Sequence, residues 1–233
     1  MRVAIMQPTY LPWAGYFGLM QAVDLFIFLD SVQFAKRSWQ QRNQIKTPQG
    51  PLWLTIPVLS KGKQEQTIRE VVINQDSDFP SHHRKAIELN YKKARFFDAY
   101  EKKLFDQLQR PASHMVEITL GLIYEIKSTL GIETKTALSS ELKAQGAKAE
   151  LLASLCQAVG ATEYISPPGS REYLKDSKAF QKNGLNVSYF DFRHPEYPQL
   201  FGEFLPYMSC IDLLFNCGSD SPEIIKKNSF IVK

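Results

Sequence analysis

Residues 2–30, RVAIMQPTYLPWAGYFGLMQAVDLFIFLD, decide the fold. Arg2 to Met6 reads as a short buried strand. Pro8 and Pro12 then interrupt regular structure with polar residues between them. Ala14 to Val23 places apolar residues at helical spacing, and Asp24 to Asp30 is a second short apolar run flanked by acids. Strand, loop, helix and strand in this compass form a βαβ unit. Such a unit dictates parallel pairing and a right-handed crossover.

Outward from this unit the same rhythm returns late in the chain. Thr134 to Leu138, Thr162 to Ser166 and Val187 to Phe192 are strand-like. Helical stretches at Ala147 to Val159, Tyr173 to Asn183 and Ser209 to Asn216 lie between or after them, two of them closed by Gly160 and Gly218. The middle differs. Trp53 to Val58 and Arg69 to Asn74 alternate like the arms of a hairpin around SKGKQEQT. Helices follow at His82 to Phe97, Asp98 to Gln109 and Ser113 to Leu130. The expected architecture is α/β: a Rossmann-like parallel sheet of about five strands with helices on both faces. The chain 1–233 reads as one domain, with its core in 1–50 and 132–220 and an inserted hairpin and helical subdomain at about 51–131.

Composition narrows the class. With 233 residues, 44% of them hydrophobic and 22% charged, the chain has ample material for a core, which excludes a disordered chain or a disulfide-stapled miniprotein. A net charge of +4, spread along the chain, implies no nucleic-acid tail but allows an anionic ligand in a local basic pocket. Cys156, Cys210 and Cys217 sit in apolar surroundings and read as buried thiols of a cytoplasmic protein. No secretory signal and no apolar run long enough to span a membrane is present. HExxH, GxxxxGK[ST], GxSxG and GxGxxG are all absent, which disfavours metalloprotease, Walker-type NTPase and serine hydrolase, and nothing points to a metal.

Ligands of open α/β sheets bind beyond the carboxyl ends of the strands, so the segments after each strand are the candidates. After the first come Gln7, Tyr10, Trp13, Gly15 and Tyr16. The aromatic rings suit stacking on a base or sugar, and Gly15 would let a ligand approach the backbone of a helix N-terminus. Two prolines shaping a turn, with Trp13 in the core, explain the same residues equally well. After the second come Asp30, Gln33, Lys36, Arg37, Trp39, Arg42 and Asn43. Their cations suit phosphate or carboxylate, and a solvated basic face is the plainer alternative. Ser166, Gly169 and Tyr173 belong to a tight loop, SPPGSREY. His194 follows the last strand beside Tyr197 and Gln199 and is the candidate for acid–base work, with Asp30 as the other. His82 and His83 read as a polar first helical turn, and His114 as a surface residue. Gln7, Tyr10, Trp13, Tyr16, Asp30, Lys36, Arg42 and Asn43 are expected to line one cleft.

The blocks MQPTYLPWAGYFGLM, DLFIFLDSVQFAKRSWQQRNQIK, YISPPGSREYL and HPEYPQLFGEFLPYMSCIDLLFNCG together resemble the WbqC-like protein family across essentially the whole chain. The resemblance implies a bacterial protein of O-antigen or other surface-polysaccharide (lipopolysaccharide) synthesis. It further implies attachment of a glycyl or other acyl group to the amine of a nucleotide-linked amino sugar. The acyl donor would be a thioester, a charged tRNA or an amino acid with ATP; a tRNA donor is the one nucleic-acid partner this allows. No other cofactor is implied. Lys36 and Arg42 would hold the phosphates, Trp13 and Tyr16 shape the pocket, and Asp30 or His194 accept the proton of the amine. The alternatives are a non-catalytic nucleotide-sugar-binding module and a degenerate nucleotidyltransferase. The last rests on the opening strand–loop–helix–strand, which is similar to HIGH-motif (HUP) nucleotidyltransferases. Trp13 and Tyr16 stand where those proteins carry histidines and supply no positive charge, so the similarity extends to the scaffold rather than to adenylyl transfer.

Overall fold

A computed structural model of the chain describes residues 1–167, 169, 170, 174 and 178–232. Strands β1 (Arg2–Met6) and β2 (Leu25–Phe28) flank helix α1 (Ala14–Gln21) in sequence and pair in parallel, Val3 opposite Leu25 and Met6 opposite Phe28. A hairpin of β3 (Arg42–Thr47) and β4 (Gly50–Thr55) follows, then helices α2 (Phe79–Tyr91), α3 (Phe97–Leu108) and α4 (Met115–Thr129). The chain returns to the sheet with β5 (Lys135–Leu138), α5 (Ala149–Ala158), β6 (Glu163–Ser166), the short α6 (Ala179–Lys182) and β7 (Asn186–Phe192). It ends with α7 (Cys210–Cys217), α8 (Ser221–Lys227) and β8 (Ser229–Val232).

The six-stranded sheet runs β5-β2-β1-β6-β7-β8, parallel throughout except for the antiparallel edge pair β7–β8. The five expected strands are all present. The sixth, Ser229–Val232, lies at the very end of the chain and closes one edge. From β1 the order builds outward in one direction through β2 and β5, and in the other through β6 and β7. The reversal therefore falls between β1 and β6, where such sheets open a crevice. Both faces are covered, which is why the strands read as almost unbroken apolar runs. Val3, Ile5 and Ile27 pack with Leu152, Leu155 and Cys156 of α5, while Ala4, Phe26 and Phe28 pack with Tyr16 and Phe17 of α1 and with the insert. The three cysteines are free and buried, and burial pushes the Cys156 thiol up to about 12.

The hairpin differs from expectation. Trp53 belongs to β4, which pairs with β3 through a turn at Pro48-Gln49, and Val58 meets Ile73 in an isolated bridge. The turn chemistry decides this. Pro48 presets its φ, Gly50 takes φ of 104°, and the Thr47 hydroxyl accepts from Gln49 N (3.1 Å) while donating to Gly50 O (2.8 Å). Ile68–Glu70 instead winds into a short 3₁₀ turn, held by Glu70 reaching back to the Thr67 N–H and hydroxyl at 2.8 and 2.7 Å. Helix α2 begins before the histidines because Asp78 caps it through Ser81 N and Pro80 fits its first turn. Of the expected helix at Tyr173 to Asn183, Tyr173 and residues 175–177 lie outside the described residues.

Candidate functional site

The crevice at the sheet reversal holds a cavity of about 690 Å³. It is lined by Ile5 and Met6 at the end of β1, by Tyr164 within β6 and by Pro167 just after it. Gln7 and Thr9 come from the loop after β1, and Ser38, Trp39 and Gln40 from the loop after β2. Lys148, Leu151 and Leu152 at the head of α5 complete the wall. A second cavity of about 230 Å³ adjoins it and shares Met6, Thr9 and Trp39, adding Trp13, Tyr16, Asn43 and Tyr207. The two loops that shape both cavities are tied together. Tyr10 N donates to Trp39 O (3.0 Å), Gln40 Nε2 to Gln7 Oε1 (2.9 Å), and Asn43 Nδ2 to Leu11 O (2.6 Å). Several residues hold φ near +60°, a conformation that costs side-chain-bearing residues roughly 1–3 kcal/mol each and that gathers at functional sites. Lys148 (52°) and Tyr207 (62°), both cavity residues, are among them.

The eight residues expected in one cleft divide. Gln7 lines the larger cavity, and Trp13, Tyr16 and Asn43 line the smaller. Tyr10 does not line either. It is wholly buried, and its hydroxyl shares a 2.8 Å hydrogen bond with His83 Nδ1. Burial lowers the pKa of His83 to about 4, with His82 adding to the shift and a backbone hydrogen bond at Thr55 opposing it. The imidazole is thus a neutral core group rather than part of a polar helix start. Gly15 serves the fold: a Cβ there would fall 2.2–2.7 Å from the Trp13 indole, so the missing side chain makes room for that ring rather than for a ligand.

The expected cations stand elsewhere. Lys36 is exposed, and the Arg42 guanidinium lies 4.2 Å over the Trp53 ring. Gln33 is exposed and donates to Gln64 O (2.7 Å). Lys148, itself exposed, is the charged residue among the described residues that line the larger cavity. It was missed because a single lysine in AQGAKAE carries no motif; the Gly146 turn ahead of an amphipathic run was the available signal.

Both expected bases have their acceptor atoms engaged. Asp30, 2% exposed, accepts from Ser139 Oγ (2.9 Å) and Ser140 N (2.9 Å) at Oδ1 and from Ser140 Oγ (2.7 Å) at Oδ2, clamping the end of β5 to the end of β2. His194 Nε2 accepts from the Tyr207 N–H at 2.8 Å, which only a neutral ring can do. Burial lowers its pKa in the same sense, and its Nδ1 is buried without a hydrogen-bond partner. The imidazole stacks on Trp13, with ring centres 5.8 Å apart and planes inclined by 23°, and so supports the smaller cavity from behind.

Tyr197 and Gln199 belong to a buried polar network that residue types alone did not reveal. Asp212, fully buried, accepts from Tyr91 OH (2.8 Å), Tyr197 OH (2.8 Å) and Gln199 Nε2 (2.7 Å). Gln199 Oε1 in turn accepts from Lys46 Nζ at 3.0 Å. Burial pushes the Asp212 carboxyl up and the Lys46 amine down, and each charge partly offsets the shift of the other. The network fastens the 197–205 segment to β3, α2 and α7. In the remaining loop, Ser166 and Ser170 share a short hydroxyl hydrogen bond and Ser170 Oγ donates to Pro167 O (2.6 Å). Gly169 takes φ of 83° in the turn, and Tyr173 lies outside the described residues.

The model of the WbqC-like protein family matches residues 7–224. The chain belongs to the WbqC-like family. It is 40% identical over 227 residues, 97% of each chain, to the uncharacterized protein Rv1507c of Mycobacterium tuberculosis. No solved structure matches it. The family's matched span runs from Gln7 through α7 to Ile224, so it takes in the Asp212 network and every residue lining the two cavities except Ile5 and Met6. No helix among the described residues is long and apolar enough to cross a membrane.

Proposed function

We propose that this WbqC-like protein binds a nucleotide-linked amino sugar at the sheet reversal and transfers an acyl or aminoacyl group to its amine, a step in building bacterial surface polysaccharide. The observation that carries the reading is the 690 Å³ cavity between the ends of β1 and β6, apolar in its walls and cationic only at Lys148 among the described residues. That volume lies within the roughly 300–1,000 Å³ of small-molecule sites. Apolar walls and Trp39 suit a base and sugar. Lys148 and the first turn of α5 suit a diphosphate, because the amide groups and dipole at a helix start favour an anion.

In the transfer, the amine nitrogen attacks the acyl carbonyl carbon. A C–N bond forms, the bond from that carbon to the donor's leaving group breaks, and the proton shed by the nitrogen passes to the departing group. The donor is a thioester, a charged tRNA or an amino acid activated by ATP. One observation favours a second reading, a non-catalytic module that presents the nucleotide sugar to a partner enzyme: the acceptor atoms of Asp30 and His194 are taken up inside the fold.

Calorimetry with uridine and thymidine diphosphate-hexosamines tests the binding. Loss of a hydrogen bond to a charged group costs about 1.5–3 kcal/mol, so Lys148→Ala should weaken affinity roughly tenfold or more without lowering the melting temperature. Unchanged affinity refutes the assignment. Consumption of an acyl donor by the purified protein separates the transferase from the binding module.

A further inference from the structure

We propose that the surface built by Trp39, Arg42 and Trp53 docks an adenine nucleotide carried by the acyl donor. The proposal rests on the transferase reading and names the handle by which the donor is held. All three donor classes of that reading have members that carry it: coenzyme A thioesters and ATP are adenosine phosphates, and a charged tRNA ends in an adenosine. Trp39 and Trp53, 48% and 39% exposed, have ring centres 5.2 Å apart and planes inclined by 45°. Single exposed apolar side chains are common, but two exposed indoles in contact form a patch, and such patches mark interaction sites. The Arg42 guanidinium lies over the Trp53 ring, its Nε is buried without a partner, and it forms no ion pair among the described residues. Neither Arg42 nor Trp53 lines either cavity. Trp39 borders both, so a donor on this surface and an acceptor in the cleft would lie side by side.

Charge selects the occupant. Residues 31–64 contain no Asp or Glu, and Lys36, Arg37 and Arg42 flank Trp39 in sequence. Lys36 and Arg37 are exposed and likewise form no ion pair among the described residues. A cationic ligand is repelled here, and an uncharged ring leaves the cations unused. A base stacked on an indole, with its phosphates toward the cations, uses both. An arginine stacked on an aromatic ring still presents N–H donors at its edge to an anion. The loop is also built to hold its shape. Gln40 and Gln41, 2% and 4% exposed, accept from Ala35 N (2.9 Å) and Arg37 N (2.7 Å), and Gln41 Nε2 donates to Ile56 O at 3.0 Å. Arg37 holds φ of 61°, a conformation that side-chain-bearing residues adopt at a cost. Buried amides and a strained backbone that fix an exposed basic loop preorganise it for a ligand.

Calorimetry with coenzyme A, ATP and a short single-stranded RNA ending in CCA tests the proposal, and the ligand that binds identifies the donor. Trp53→Ala should weaken that ligand by roughly tenfold, as loss of one stacked base does. Arg42→Gln should weaken it too and flatten its salt dependence. Neither variant should alter affinity for uridine or thymidine diphosphate-hexosamine, and saturation with these should not displace the adenine nucleotide. If Trp53→Ala does not fold, the wild-type protein decides the point. Magnetisation should then pass from indole to adenine protons with the hexosamine nucleotide present, and its absence overturns the docking surface. Binding of the hexosamine nucleotide but of no adenine nucleotide overturns the surface and leaves the cleft in place. Displacement by the hexosamine nucleotide, or an affinity untouched by Trp53→Ala, places the adenine in the cleft and also overturns the surface. Adenine nucleotide binding with the expected losses, but no hexosamine nucleotide binding, upholds the surface and overturns the cleft. A dimer that Trp53→Ala turns into a monomer makes the patch a face between two copies and overturns the proposal.

Discussion

Lowering the pH from 7 toward 4 should destabilise this protein chiefly through His83, with His194 adding in the same sense. The ring is 7% exposed and hydrogen-bonded to the Tyr10 hydroxyl, and burial brings its pKa from 6.5 down to about 4. Between those values the unfolded chain carries a proton that the folded chain refuses, so stability rises with pH across that window. It is fully present above about 6.5, falls as the pH drops, and levels off near 4, where the folded ring also protonates. At about 1.4 kcal/mol per tenfold change in protonation, the loss comes to ~3 kcal/mol, a large part of a typical domain's 5–15 kcal/mol. Urea unfolding at half-unit steps between pH 7.5 and 4, on wild type and His83→Asn, checks this. The variant should be weaker at neutral pH and show a profile flatter by about the same ~3 kcal/mol. Asp212, whose carboxyl is pushed up, acts in the opposite sense but equally in both proteins, so it cancels in the difference. Parallel profiles would refute the assignment of a neutral buried imidazole.

Two further outcomes follow from packing and polar satisfaction. Gly15→Ala forces a methyl into the Trp13 ring and should cost about 1–3 kcal/mol, read as a lower melting temperature together with a shifted tryptophan emission spectrum. Asp212→Ala orphans the hydroxyls of Tyr91 and Tyr197 and one amide of Gln199, and leaves Lys46 without a buried counter-charge. A loss of ~3–5 kcal/mol in chemical denaturation is expected.

The sheet was legible because its strands are covered on both faces, so RVAIM, LFIF and EYIS announce themselves by local composition alone. The sequence points only to the carboxyl ends of the strands as the place for a ligand; the strand order that opens the crevice between β1 and β6 depends on pairings between distant segments and is seen only in the structure. Strand β3 was not legible either. RNQIKT looks like a polar loop, and it is a strand because distant groups satisfy its buried polar atoms. Leu11 O takes the Asn43 amide, and Gln199, 153 positions away, takes the Lys46 amine. No local window of sequence contains those partners. The same physics separates the conspicuous candidates from the ones that line the cavities. An aspartate or histidine attracts notice because it is costly to bury, and that cost is why the fold supplies it with donors: Ser139 and Ser140 for Asp30, the Tyr207 N–H for His194. Once supplied, each group holds the scaffold. The chemistry left facing the cavities then falls to residues that composition does not flag. Lys148 stands at a helix start with a strained backbone, and Trp39 is 48% exposed between the two cavities.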